Sequence, residues 1–176
     1  MALAEQKDPA QVALTRDVAR FLDALARLID ETEEAAERAR DGIGHHAFEP
    51  YYALRNKTTE FQAMLAVVEG RIARLGRHCP ETMSERLDEL ERAMLGLLVR
   101  ASVQILFALS AIPLLPLGIR ELFAGELRLL HETKEKLKLP KHAGKLGADI
   151  EMDVETAELI LLEVMEKAPS LLSFDA

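Results

Sequence analysis

The stretch from Arg92 to Glu121, RAMLGLLVRASVQILFALSAIPLLPLGIRE, is almost wholly apolar, yet Arg100 and Gln104 sit near its middle and Pro113 and Pro116 near its end. A run of this length either enters a bilayer or forms the innermost helix of a water-soluble bundle. Three features favour the bundle. An arginine at a helix centre costs about 2.5–3.5 kcal/mol on insertion. Two prolines would fall inside the span. The apolar seam of the charged half, Met83, Leu87 and Leu90, continues in phase through Met94, Leu97 and Ala101 to Gln104 and Ala108. The reading is a central helix wrapped by the rest of the chain. Arg100 and Gln104 are then its buried polar residues, and Arg100 needs a carboxylate partner or a route to solvent at a seam.

That reading requires amphipathic helices on either side, and the sequence supplies them. Asp8 and Pro9 form a start signal. Apolar or small residues then follow at Val18, Leu22, Leu25, Ile29, Thr32, Ala36 and Ala39, with the alternating four-three steps of a heptad seam. Gly42 or Gly44 is expected to end this helix in a left-handed cap. A second seam runs Leu54, Thr58, Phe61, Leu65, Val68, Ile72 and Leu75. Pro80 opens the central helix and Pro113 stops it. Pro140 closes a fourth helix, and Asp153 is expected to cap a fifth whose inner face carries Val154, Ala157, Leu161, Val164 and Ala168. The tail is expected to dock through Leu171, Leu172 and Phe174. The predicted helices cover 9–41, 49–76, 80–112, 117–139 and 153–168 of one domain, 1–176. Short turns between long helices imply antiparallel neighbours. The fold class is therefore all-α: an up-down antiparallel bundle of three long helices, coiled-coil-like in its seams, plus two shorter C-terminal helices.

Composition agrees. Ala, Leu, Glu, Lys and Arg make up more than half of the chain, there is no Trp, and 5% of residues are aromatic, a helical rather than a β profile. The net charge of −8 disfavours nucleic acid as a partner. The lone Cys79 points to a reducing, cytoplasmic setting, and the N-terminal MALAEQKDPAQ lacks the pattern of a signal peptide. The Ala- and Arg-rich usage is that of a GC-rich bacterial genome.

No catalytic constellation emerges, and the chain is read as a non-enzyme with no cofactor. HAGKLG lacks the spacing and the preceding strand of a phosphate-binding loop. The inner positions lack the Glu and His ligands of a di-iron bundle. In HHAFEPYY, His45, His46 and Glu49 are read as a polar helix start beside Tyr51 and Tyr52. His78 and Cys79 could meet His142 at one end of the bundle and bind zinc, the weakest of the readings. Charge placement says more. Arg71, Arg74 and Arg77 end the second helix, and Lys134, Lys136, Lys138, Lys141 and Lys145 cluster around the end of the fourth. In an up-down bundle both groups share a pole that could steer an acidic partner, opposite the acidic flank Asp30 to Glu37. The expectation is an interaction, scaffold or adaptor protein that binds another protein, itself included as a homo-oligomer. One alternative is a membrane-associated protein that uses the 93–119 segment with the Lys134–Lys145 cluster on an anionic surface. The other is a ligand- or metal-binding helical sensor.

Overall fold

The structure, a computed structural model, describes residues 9–112 and 119–167. Five α-helices account for most of them: α1 Pro9–Gly44, α2 Glu49–Leu75, α3 Glu81–Ser110, α4 Ile119–Leu137 and α5 Ala148–Lys167. A single 3-10 turn, Gly76–His78, joins α2 to the extended Cys79-Pro80 link. The expected roles of Asp8, Pro113, Pro116 and the tail residues Leu171, Leu172 and Phe174 lie outside the described residues.

The all-α up-down bundle of the sequence reading is the observed architecture. Glu31 pairs with Lys57, and Asp17 with Arg71. Fourteen residues forward on α2 therefore match fourteen back on α1, so the two helices run antiparallel. Asp23 of α1 pairs with Arg86 early in α3. Further along both helices Glu37 and Arg40 line a groove with Gln104, which makes α1 and α3 parallel. The turn after α4, through Lys141 and His142, meets Glu91 in the first half of α3.

The apolar seams explain this arrangement. Val18, Leu22, Leu25 and Leu28 of α1 meet Phe61, Val68 and Leu75 of α2 and Leu87, Met94 and Leu98 of α3. Further along, Ala35, Ala36, Ala39 and Ile43 meet Tyr51 and Leu54 of α2, with Ala101, Ile105 and Leu109 of α3 closing the layer. The alanines keep this part of the seam thin. On the opposite face of α3, Leu95, Val99, Val103 and Leu106 pack against Leu127, Leu130 and Leu137 of α4 and Ala157 and Leu161 of α5. Helix α3 thus contributes to all three clusters. Its most apolar 18-residue window has a mean hydropathy of 1.8, enough by length and composition to cross a membrane, and 61% of that window is buried by the protein itself.

Several local expectations change. Helix α1 runs on to Gly44, and neither Gly42 nor Gly44 takes a left-handed conformation; the positive φ, 59°, belongs to His46. Gly42 serves close approach instead, since a Cβ there would lie 2.7 Å from the Ala47 carbonyl oxygen. Helix α5 begins at Ala148, five residues before the expected Asp153 cap, and Asp149 and Glu151 occupy its first turn, where carboxylates complement the helix dipole. Arg100 and Gln104 are half-buried rather than buried. The fully buried polar residue of α3 is Ser102.

Because α3 is packed on two sides, its positions should differ sharply in their tolerance. Ile105→Ala, at a fully buried site, is expected to cost about 2–5 kcal/mol. Phe107→Ser, where 57% of the residue is exposed, should change stability by less than about 0.5 kcal/mol. Urea denaturation of the two variants compares them directly.

Candidate functional site

Helix α5 is held firmly from one side. At its first turns it crosses α3 where Gly96 leaves no side chain; a Cβ at Gly96 would stand 2.7 Å from Ile150 Cδ1. The Arg100 guanidinium donates from Nη2 to Asp149 at 2.7 Å and from Nε to Asp153 at 2.8 Å. Arg100 is thus the partnered arginine that the sequence required, and its escape route is the α3/α5 seam. The hydrogen bond from Arg100 holds the Asp149 carboxyl below its ordinary range. From the α4 side, Lys138 lies 3.0 Å from Glu158 and Lys134 lies 3.5 Å from it. Lys138, hydrogen-bonded to Glu158, holds that carboxyl low as well. Ala157 and Leu161 fill the space beneath.

The other side of α5 is uncovered among the described residues. Met152, Leu159, Leu162 and Met165 are each between 55% and 68% exposed. Residues 152, 155, 159, 162 and 166 step three-four-three-four along the helix, which is heptad spacing pointed at solvent. Their identities are Met, Glu, Leu, Leu and Glu. Helix α5 therefore carries two seams, one packed on α3 and α4 and one left outward. Sequence reasoning found only the inner seam. The signal for the outer one was present in DIEMDVETAELILLEVMEK, which is apolar on two faces instead of one.

Of the eight basic residues expected to share a pole, four are paired with acids, and Lys136 and Arg71 lie at different levels. Lys136 lines a small cavity of about 40 Å³ with Thr58, Phe61 and Gln62 of α2 and Met94 and Leu98 of α3. That places the lysine-rich end of α4 beside the middle of α2, roughly 10–15 Å short of Arg71 at 1.5 Å per residue. Arg71 pairs with Asp17 and stacks on Phe21, while Arg74 and Arg77 are exposed. Lys134 is nearly buried between Glu135 and Glu158, Lys138 pairs with the same two carboxylates, and Lys141 pairs with Glu91. Lys136 and Lys145 are exposed. Most of the cluster is thus spent on neighbouring acids.

The expected zinc trio does not assemble either. His142 is buried beside Glu91, whereas Cys79 lies near Ser84, two turns earlier on α3, and His78 is exposed. Among the described residues no group of three His, Cys, Asp or Glu side chains could hold a metal ion. His45 Nδ1 lies 2.8 Å from the Asp41 carbonyl oxygen, so this histidine closes the end of α1.

Two buried polar environments were not anticipated from the sequence: that of Glu126, which was not singled out, and that of His142, which was expected only as a zinc ligand. Glu126 is fully buried, and it accepts hydrogen bonds from Tyr51 Oη at 3.0 Å and from Arg55 Nη2 at 2.5 and 2.6 Å. Arg55 also lies over the Tyr51 ring, 5.0 Å from its centroid. Burial, with the Glu126 charge beside it, pushes the Tyr51 hydroxyl up to about 12, so it remains a donor. Glu126 sits on the buried stripe of α4 between Phe123, Leu127 and Leu130. A charge in that register was the available clue. The second feature is His142. Neither ring nitrogen has a hydrogen-bond partner among the described residues, and Nε2 is 3.5 Å from Glu91 Oε2. Burial lowers its pKa, helped by Lys141 and Arg92 and opposed by Glu91 and Asp88.

With this geometry in hand, comparison with known proteins adds no assignment: no family model, no curated protein and no solved structure matches the chain.

Two measurements check this account. Glu126→Leu leaves the Arg55 charge without its partner in the protein, and the loss should be about 3–5 kcal/mol in urea denaturation at neutral pH. The triple variant Tyr51→Phe, Arg55→Met, Glu126→Leu removes both charges and the hydroxyl together, and should recover most of that loss. For His142, the folded state holds the ring neutral below its ordinary value of 6.5. Its contribution to stability is complete above that pH and is lost as pH falls and the unfolded chain binds the proton. The urea midpoint should drop between pH 7 and pH 5, and His142→Leu should flatten that part of the profile.

Proposed function

We propose that this chain is a non-catalytic helical-bundle protein that acts by binding another protein through the outward seam of α5. The observation that carries the reading is that seam itself. Met152, Leu159 and Leu162 stand at heptad positions on a helix whose opposite face is anchored to α3 and α4. An apolar row presented on a rigid element is poised for helix docking, and the bundle has no need of it for its own core.

The rival readings draw less support. Both faces of α3 that carry its apolar seams are covered, and Arg100 is satisfied by two carboxylates, so a membrane hairpin would have to break those contacts. The cavity between α2, α3 and α4 has room for a water molecule or two, and the larger concavities, about 360 Å³ beside Phe21 and Arg71 and about 200 Å³ beside Arg100 and Asp149, are open surface grooves. The Cys79 thiol lies against the Pro80 carbonyl oxygen and the Ser84 hydroxyl. A reducing, cytoplasmic setting suits that free thiol.

The test is site-specific photo-crosslinking in intact cells. A crosslinking residue at Leu159 should give discrete protein adducts that are absent when it is placed at Glu60, on the exposed side of α2. The same adduct pattern from both sites, or none from Leu159, ends the reading.

A further inference from the structure

We infer that the partner of the α5 seam is a basic amphipathic helix. This rests on the protein-binding reading above and names the chemistry of the partner. Helix α5, Ala148–Lys167, carries seven carboxylates and one lysine, which is its last residue. Asp149, Asp153 and Glu158 are tied to Arg100, Lys134 and Lys138 on the inner side. Glu151, Glu155 and Glu166 are exposed and make no ion pair among the described residues. Glu155 and Glu166 occupy the outward seam itself, in line with Met152, Leu159 and Leu162, and Glu151 lies next to Met152.

That interleaving of acids with Met and Leu narrows the choice of occupant. A second copy packing through the same seam would bring its own Glu155 and Glu166 to the interface, so like charges would crowd a partly dehydrated surface. An anionic lipid surface meets the same repulsion. A helix with leucine-like residues every three to four positions and Lys or Arg beside them matches both the apolar row and its carboxylates. Met152 and Met165 add unbranched side chains that adapt to differently shaped apolar groups. The geometry selects a class of helix more than one sequence. It also reverses the polarity expected from the lysine cluster, of which Lys134 and Lys138 are paired with Glu158 of α5 and Lys141 with Glu91 of α3.

The experiment measures binding of the full-length chain to fluorescein-labelled synthetic helices of about 18 residues, five turns, by fluorescence anisotropy. One helix carries a leucine seam flanked by lysines. A second has the same seam with every lysine replaced by glutamate. The lysine helix should bind at least about tenfold more tightly than the glutamate helix. The variant Leu159→Ser, Leu162→Ser should weaken it by about tenfold or more. Glu155→Gln with Glu166→Gln should lessen the salt dependence of binding. Glu33→Gln, Glu34→Gln and Glu37→Gln on the acidic flank of α1 should leave binding unchanged, which separates this seam from the overall negative charge. All substituted positions are exposed, and circular dichroism verifies that each variant remains helical.

Equal binding of the two helices, no binding of the lysine helix, or binding that survives Leu159→Ser, Leu162→Ser overturns the inference. Sedimentation showing a dimer that those serines abolish also overturns it, in favour of a second copy, while leaving α5 as a docking surface. Loss of the Leu159 crosslinks in cells is the separate outcome that removes the protein-binding reading itself.

Discussion

The structure depends on burying one helix from two directions. Helix α3 is too apolar to leave in water, and its side chains divide into two rows. Leu87, Met94, Leu98, Ala101, Ile105 and Leu109 face α1 and α2, and Leu95, Val99, Val103 and Leu106 face α4 and α5. A fully buried aliphatic side chain contributes about 1.5–3 kcal/mol, so these rows supply a large part of the force that folds the chain. The two outer layers make their main contact with α3 between them, and α3 sets their relative position.

Polar groups then fix the register that apolar packing leaves loose. On the side of α4 and α5, Arg100 clamps the first turns of α5 through Asp149 and Asp153, and Lys134 and Lys138 hold Glu158 from α4. Across the bundle, Glu126 of α4 reaches Tyr51 and Arg55 of α2. A buried ion pair is a weak source of stability, because desolvation offsets much of the attraction. Its effect is on specificity: sliding α4 along the bundle would strand two charges in the interior. Nearby, Gly96 lets α5 approach α3 closely enough for Ile150 to fill the gap.

Firm anchoring on the inner side is what makes the outer side of α5 interesting. A helix that frayed or rolled could bury Leu159 and Leu162 against its own bundle. Here the carboxylates of the first turns and Glu158 determine which face looks inward, so the second seam is left outward together with Glu151, Glu155 and Glu166. The same ion pairs neutralise Lys134 and Lys138 of the lysine cluster. One set of contacts therefore neutralises part of the basic segment and presents an acidic one.

Much of the fold was legible in the sequence. The four-three spacing of Val18 to Ala39, Leu54 to Leu75 and Met83 to Ala108 determined three long helices and their inner faces, because residues three and four apart share a helix face in any surroundings. The presence of Arg100 within an apolar run called for a partner near a seam, and a soluble-bundle reading followed. What needed tertiary structure was every pairing between distant segments. Sequence spacing says nothing about how far α4 slides along α2, so Arg71 and Lys136 were expected at one pole but lie on different levels, and Glu126 could not be matched to Arg55. It picked out the inner row of α5, Val154, Ala157, Leu161 and Val164, but not what holds that row inward and leaves a second one in solvent. That choice on α5 was made by Gly96, Arg100 and the lysines of α4, all distant from α5 in the chain and brought beside it only by the fold.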